Sequence, residues 1–210
     1  MNHIFDWFFA QYEGVDTHLV VLELIGVVFG FLSVWYSKKE NILVYPTGII
    51  STALFVYILW VFGLLGDMLI NAYYFSMSIY GWYYWTRKDG NNQEVPVTKA
   101  TKKEQLWSII IFILTIIFII VVYAVNDKFN HWTAYVDTLT TAIFFVGMWL
   151  MAKKKLENWT YWIIGDVISV PLYFYKGLIF TSFQYLLFTI IAIYGYKAWK
   201  KSLNSNPEIS

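Results

Sequence analysis

The 210-residue chain has no cysteine, three histidines, four prolines and only 14% charged residues. Without cysteine there are no disulfides, no thiolate metal ligands and no thiol nucleophile. His3, His18 and His131 show no HxxxH or histidine–carboxylate spacing, so no metal site is expected. Gly63-Leu-Leu-Gly66 is not a phosphate loop and there is no GxSxG, so nothing points to an enzyme or to a cofactor. Positive charge is sparse too: the net charge is +1, and the basic residues form no stripe that could track a phosphate backbone, which argues against a nucleic-acid partner. The start, MNHIFDWFFAQYEGVD, has no Lys or Arg ahead of its first apolar run and no small-residue cleavage site, so no signal peptide is expected. Residues 1–16 read as an external interfacial segment, with Trp7 and Phe8 at headgroup depth.

What is abundant is apolar and aromatic: 59% of residues are hydrophobic and 21% are Phe, Trp or Tyr. A soluble domain of this length could not hide that in one core, so the chain reads as an all-α integral membrane protein whose partner is the lipid bilayer. A span needs about 20 mainly apolar residues. Windows of that kind fall near 17–36, 42–62, 67–86, 106–125, 133–152, 159–175 and 178–197. Thirteen of the 15 basic residues then fall on one side of the membrane, among them Lys38, Lys39, Arg87, Lys153, Lys154, Lys155 and Lys200, and only Lys128 and Lys176 on the other. The positive-inside rule predicts an external N-terminus and a cytoplasmic C-terminus.

The chain also repeats itself. Ser37-Lys-Lys-Glu-Asn41 recurs as Lys154-Lys-Leu-Glu-Asn158, an offset of 117 that also pairs Gly48 with Gly165. Past a short gap the offset becomes 114: Gly63 pairs with Gly177, Ile79-Tyr80-Gly81 with Ile193-Tyr194-Gly195, and Trp85 with Trp199. Two three-span copies can run parallel only if one extra crossing separates them. The predicted architecture is therefore seven transmembrane helices as two parallel three-helix bundles joined by a linker helix (3+1+3). The bundles are 17–86 and 133–199, separated by a cytoplasmic linker, 87–104, and a lone span, 105–126, and followed by a cytoplasmic tail, 200–210. From Ile109 to Val122 the lone span reads IIIFILTIIFIIVV, a run in which Thr115 is the one polar group, as expected of a spacer facing lipid. Parallel repeats of this kind are a transporter plan, with substrate bound near mid-membrane at the repeat interface. A seven-helix receptor or photoreceptor is the competing class; span 7 has no mid-membrane lysine for a Schiff base, and the duplication would go unexplained.

Ionisable groups inside spans are costly and tend to face a cavity or a partner. Asp67 reads as an N-cap of span 3, and Asp137 as structural near the N-terminus of span 5. Glu23, six or seven residues into span 1, could pair with polar groups of span 2 or 3, and its role stays open. Asp166 lies deepest, and Trp159, Trp162 and Asp166 share one face of span 6, which makes the carboxylate a substrate anchor and Trp162 a stacking surface for a flat or cationic ring. Trp159 also fits an interfacial belt. Asn71, Tyr74, Ser78, Trp82 and Trp85 recur at helical spacing in span 3 and would form a second polar and aromatic wall; Gln184 is a lone amide in span 7. Pro46 and Pro171, with Gly48 and Gly165, would loosen spans 2 and 6.

IYGWYYW at 79–85 and ENWTYWIIGDVISVPLYFYKGL from Glu157 resemble the PnuC family of bacterial vitamin-precursor transporters, which is similar in plan to the SWEET sugar transporters. The likeness runs from about residue 20 to 199. It implies uptake of nicotinamide riboside by facilitated diffusion, trapping of the product by a cytoplasmic kinase, and a homotrimer. The family's span 6 pattern of Trp, three residues, then Asn falls on Trp162 and position 166, which is Asp here. Its span 3 amide falls on Asn71 and a span 7 polar position near Gln184. Because relatives in the family take thiamine, and a carboxylate at 166 suits either a ribose or an aminopyrimidine with a thiazolium, thiamine uptake by the same mechanism stands as the alternative. Both ligands are small, cationic and aromatic.

Overall fold

A computed structural model describes residues 16–88, 95–125, 131–177 and 179–205. The expected interfacial segment around Trp7 and Phe8, the middle of the linker, Lys128 and the last residues of the tail lie outside this set. Seven helices follow one another: α1 (Thr17–Lys38), α2 (Val44–Val61), α3 (Leu65–Trp85), α4 (Lys102–Val125), α5 (Thr133–Ala152), α6 (Asn158–Tyr175) and α7 (Ile179–Ser205). By length and composition α1, α2, α4 and α5 are apolar enough to cross a membrane. All seven windows looked long enough in sequence, but α3, α6 and α7 interleave Tyr, Trp and polar residues, which lowers their mean hydropathy without shortening them. They complete a seven-helix, multi-pass membrane architecture.

Six helices close a ring. Neighbours pack in the order α1, α2, α3, α5, α6, α7 and back to α1, while α4 packs on the outside of α5. The α4 surface fits its sequence: Ile109, Ile113, Ile117 and Val121 are all exposed, an apolar face suited to lipid. Tyr73 stacks on Phe145 at 3.9 Å and donates a hydrogen bond to the Phe145 carbonyl, joining α3 to α5. Across the other seam, Phe31 of α1 meets Phe188 of α7 at 5.0 Å.

The two halves are copies in backbone as well as in sequence, with one register throughout. Lys39 and Lys153 cap α1 and α5, Glu40 and Lys154 follow with positive φ (55° and 56°), and α2 and α6 begin at Val44 and Asn158. Each of these pairs is 114 apart, as are Ser37 and Met151, whose Oγ and Sδ lie 3.2 Å apart. The offset of 117 suggested by the two Glu-Asn corners is therefore superseded: the structural mate of Trp159 is Tyr45 rather than Ile42, and that of Asp166 is Thr52 rather than Ile49. Gly63 and Gly177, with φ of 69° and 76°, stop α2 and α6, where a helix C-terminus needs a left-handed residue.

The lysine-rich end of the ring is plugged. Tyr45 and Trp159 each stand edge-on to a further indole, Trp85 at 5.1 Å and Trp199 at 5.6 Å. Those two indoles reach across the halves: Trp85 Nε1 donates to the Met151 carbonyl and Trp199 Nε1 to the Ser37 carbonyl. Such exchanged bonds are what a two-fold relation between the copies produces. The corners beneath the plug are held differently. Part of the expected 87–104 linker is bound to the ring: Thr98 bridges to the α5–α6 corner, its N–H donating to the Lys154 carbonyl and its carbonyl accepting from the Leu156 N–H. Val97 is buried there, and Lys155 joins Thr98 and Glu104. Lys154 and Lys155, which sequence reads as topological markers, are thus buried structural groups. The α1–α2 corner is met instead by the extended end of α7, where Ser202 faces Glu40 at 3.3 Å. Burial raises the Glu40 carboxyl above its ordinary range, against the opposing pulls of Ser202 and Lys154.

Other expectations change in detail. Asp67 is in the first turn of α3 rather than at the N-cap, which is Leu64, so its negative charge sits near the helix's positive end. Asp137 makes an ion pair with Lys176 at 2.6 Å. Glu23 has no hydrogen bond or ion pair with α2 or α3 among the described residues. Pro46 falls in the first turn of α2, where no intrahelical bond is lost, whereas Pro171 is interior to α6 and leaves the Val167 carbonyl without its helical donor.

Candidate functional site

Inside the ring lies a cavity of about 260 Å³. All six ring helices line it, and α4 does not. Its walls come in mates related by the repeat: Gly30 with Phe144, Val34 with Met148, Gly48 with Trp162, Thr52 with Asp166, Tyr74 with Phe188, and Ser78 with Ala192. Sequence alternation cannot produce this; it follows from six helices each turning the equivalent face inward.

The α6 stripe read from the sequence does face the cavity. Trp162, Asp166 and Trp159 all line it, joined by Tyr74 from α3. Trp162 lies in a near-parallel stack with Phe144, centroids 5.4 Å apart, and Tyr185 is also stacked with Phe144 at 6.0 Å. This makes a continuous aromatic wall of the kind that accepts a flat ring. Asp166 is 3% exposed, lies within coulombic reach of Tyr74 and Tyr185, and has no hydrogen bond to another protein group among the described residues. A buried carboxylate without a protein partner is costly, and a bound donor or cation would relieve it. Among the described residues no Lys, Arg or His side chain contributes to the lining, so these walls offer no counter-charge to an anion. Trp159 forms part of the floor; it is 2% exposed, and its Nε1 has no acceptor among the described residues.

Three of the expected residues lie elsewhere. Asn71 turns back on its own helix, donating to the Asp67 carbonyl at 3.0 Å. Trp82 is 42% exposed on the outer face of α3. Gln184 is half-buried but outside the lining, because its neighbour Tyr185 takes the inward position. Trp85, grouped with them by spacing, is in the plug. The α3 wall is thus reduced to Tyr74 and Ser78. Sequence reading missed the α1–α2 side entirely: Gly30, Ser33, Gly48, Ser51 and Thr52 line the cavity with small residues that carry no mark of function when read singly. Their signal lay in the correct repeat register, which sets Gly30 and Gly48 against Phe144 and Trp162, Thr52 against Asp166, and Ser33 and Ser51 against Gly147 and Gly165 of the second copy.

Comparison with known proteins agrees with this architecture. A family model described as "Nicotinamide mononucleotide transporter" matches residues 20–201. The chain is 27% identical over 208 residues to the nicotinamide riboside transporter PnuC of Escherichia coli (strain K12), covering 86% of this chain and 85% of that one. It is 22% identical over 186 residues to the riboflavin/roseoflavin transporter RibM of Streptomyces davaonensis, covering 88% and 86%. A crystal structure of the vitamin B3 transporter PnuC shares the fold, with a TM-score of 0.65 at 22% identity over 88% of this chain and 82% of that one.

Proposed function

The chain belongs to the nicotinamide mononucleotide transporter family, the PnuC family, and from that premise we propose that it imports nicotinamide riboside across the cytoplasmic membrane by facilitated diffusion. The observation that carries the reading is the cavity inside the ring, which sets the Asp166 carboxylate, without a protein partner among the described residues, beside an aromatic wall and has no Lys, Arg or His among its described lining residues. That chemistry favours a flat cationic ring and disfavours a phosphate ester, so the unphosphorylated riboside is the ligand and the mononucleotide is not. Trp162 supplies the stacking face, Asp166 accepts hydrogen bonds from the ligand, Tyr74 closes the side and Trp159 the floor. Asn71, Trp82 and Gln184 fall outside this contact set. Net uptake then depends on consumption inside the cell, for which phosphorylation is the direct route, since the product no longer suits the cavity. The assembly implied by the resemblance is a homotrimer.

Equilibrium binding of nicotinamide riboside, nicotinamide mononucleotide, thiamine and riboflavin to the purified protein tests the assignment. Nicotinamide riboside should bind, and the mononucleotide at least ten-fold more weakly. Tighter binding of thiamine would transfer the assignment to the alternative, and tighter binding of riboflavin to the chemistry named for the Streptomyces relative. Asp166→Ala with undiminished affinity would remove the carboxylate from the site. Uptake into sealed vesicles should be indifferent to ionophores; collapse with an ionophore and rescue by an imposed gradient would end the uniporter reading.

A further inference from the structure

The cavity is symmetric in backbone and asymmetric in content, and the asymmetry has a direction. In the second copy, two glycines are seats for aromatic rings. A methyl group at Gly165 would collide with the Phe144 ring, and one at Gly147 would stand 3.4 Å from Trp162. In the first copy the mates of those rings, Gly30 and Gly48, carry no side chain. The atoms nearest to a Cβ built there are hydroxyl oxygens: Ser51 Oγ at 3.2 Å for Gly30, and Ser33 and Ser78 Oγ at 3.1 and 3.2 Å for Gly48. The α1–α2 wall therefore has no ring where the second copy carries a Phe and a Trp, and small hydroxyl residues stand there instead.

Those hydroxyls are oriented by what they already bind. Ser33 Oγ donates to the Val44 carbonyl at 2.8 Å, Ser51 Oγ to the Gly26 carbonyl at 2.7 Å and Thr52 Oγ1 to the Gly48 carbonyl at 2.7 Å. Their protons are committed, so what remains toward the cavity is oxygen lone pairs, which accept. Two further groups point to a ligand rather than to packing. Ser78 and Asp166 are each 3% exposed, line the same cavity, and have no hydrogen bond to another protein group among the described residues. An acceptor-rich wall opposite an aromatic wall fits a molecule with a flat ring at one end and several hydroxyl donors at the other.

We propose that the α1–α2 wall is a polyol subsite that takes the sugar arm of the ligand, with Gly48 setting the room available and Thr52 accepting a sugar hydroxyl. The proposal rests on the nucleoside-transport reading above. It gives the two walls separate tasks: the ring is read by the second copy of the repeat and the sugar by the first.

Two ligands with the same cationic ring separate those tasks, nicotinamide riboside and 1-methylnicotinamide, in which a methyl replaces the sugar. Binding of each to the full-length protein in detergent is followed by tryptophan fluorescence, for the unsubstituted protein, Thr52→Val, Gly48→Ala and Trp162→Ala. Thr52→Val keeps shape and removes the acceptor, so it remains informative if Gly48→Ala does not fold. The expected result is at least a ten-fold loss of riboside affinity in Thr52→Val and Gly48→Ala with 1-methylnicotinamide held within two-fold, and a loss for both ligands in Trp162→Ala. Unchanged riboside affinity in Thr52→Val, or equal losses for both ligands there, overturns the subsite while leaving the transport reading intact. Failure of the unsubstituted protein to bind the riboside removes the transport reading, and the subsite with it.

Discussion

Lys176 and Asp137 form the shortest ion pair among the described residues, 2.6 Å, with side chains 24% and 18% exposed. The pair ties the end of α6 to α5, at the ring end away from the plug. Losing the ammonium leaves a half-buried carboxylate without its counter-charge, a cost of about 1–2 kcal/mol once solvent screening is allowed for. Lys176→Met should therefore lower the thermal unfolding temperature in detergent, and adding Asp137→Asn should restore part of the loss. Additive losses in the double variant would show that the two side chains act independently. At this scale the sequence was partly legible. Asp166 and Trp162 stood out because a carboxylate and an indole on one helical stripe at membrane depth have few structural uses. Asn71, Trp82 and Gln184 were equally polar or aromatic, but which way a single side chain turns is decided by the neighbouring helices.

Helix pairs are set by contacts too close for any side chain. A methyl group at Gly81 would overlap the Tyr45 ring, and one at Gly195 would stand 2.6 Å from Trp159. Both glycines let a buried aromatic of α2 or α6 lie against the backbone of α3 or α7, at equivalent places in the two copies. Gly81→Ala and Gly195→Ala should each cost about 1–3 kcal/mol through overpacking. Thermal unfolding and size-exclusion profiles would check this, and a neutral outcome at either position would show that the rings have room to withdraw. The repeat itself was legible from the sequence, but its register at the first corner was not. Asn41 and Asn158 match in type, yet Asn158 begins α6 and corresponds to Val44, which begins α2. A slip of three residues is almost one helical turn, so it leaves hydrophobic and polar faces nearly aligned, and composition alone hardly resists it.

For the whole molecule, charge asymmetry predicts that the plugged, lysine-rich end faces the cytoplasm. The absence of native cysteine makes this directly measurable. An impermeant maleimide should label Trp132→Cys in intact cells and Lys200→Cys only after lysis, since both side chains are exposed. The opposite pattern would invert the orientation. Membrane embedding, the seven crossings and the duplication were determined by the sequence alone, because hydropathy, charge placement and residue identity add up locally along a chain. The content of the cavity was decided only by the tertiary structure. It depends on which face each of six helices turns inward, and that is settled by packing between elements far apart in sequence, where Gly48 acquires meaning only by standing where its repeat mate is Trp162.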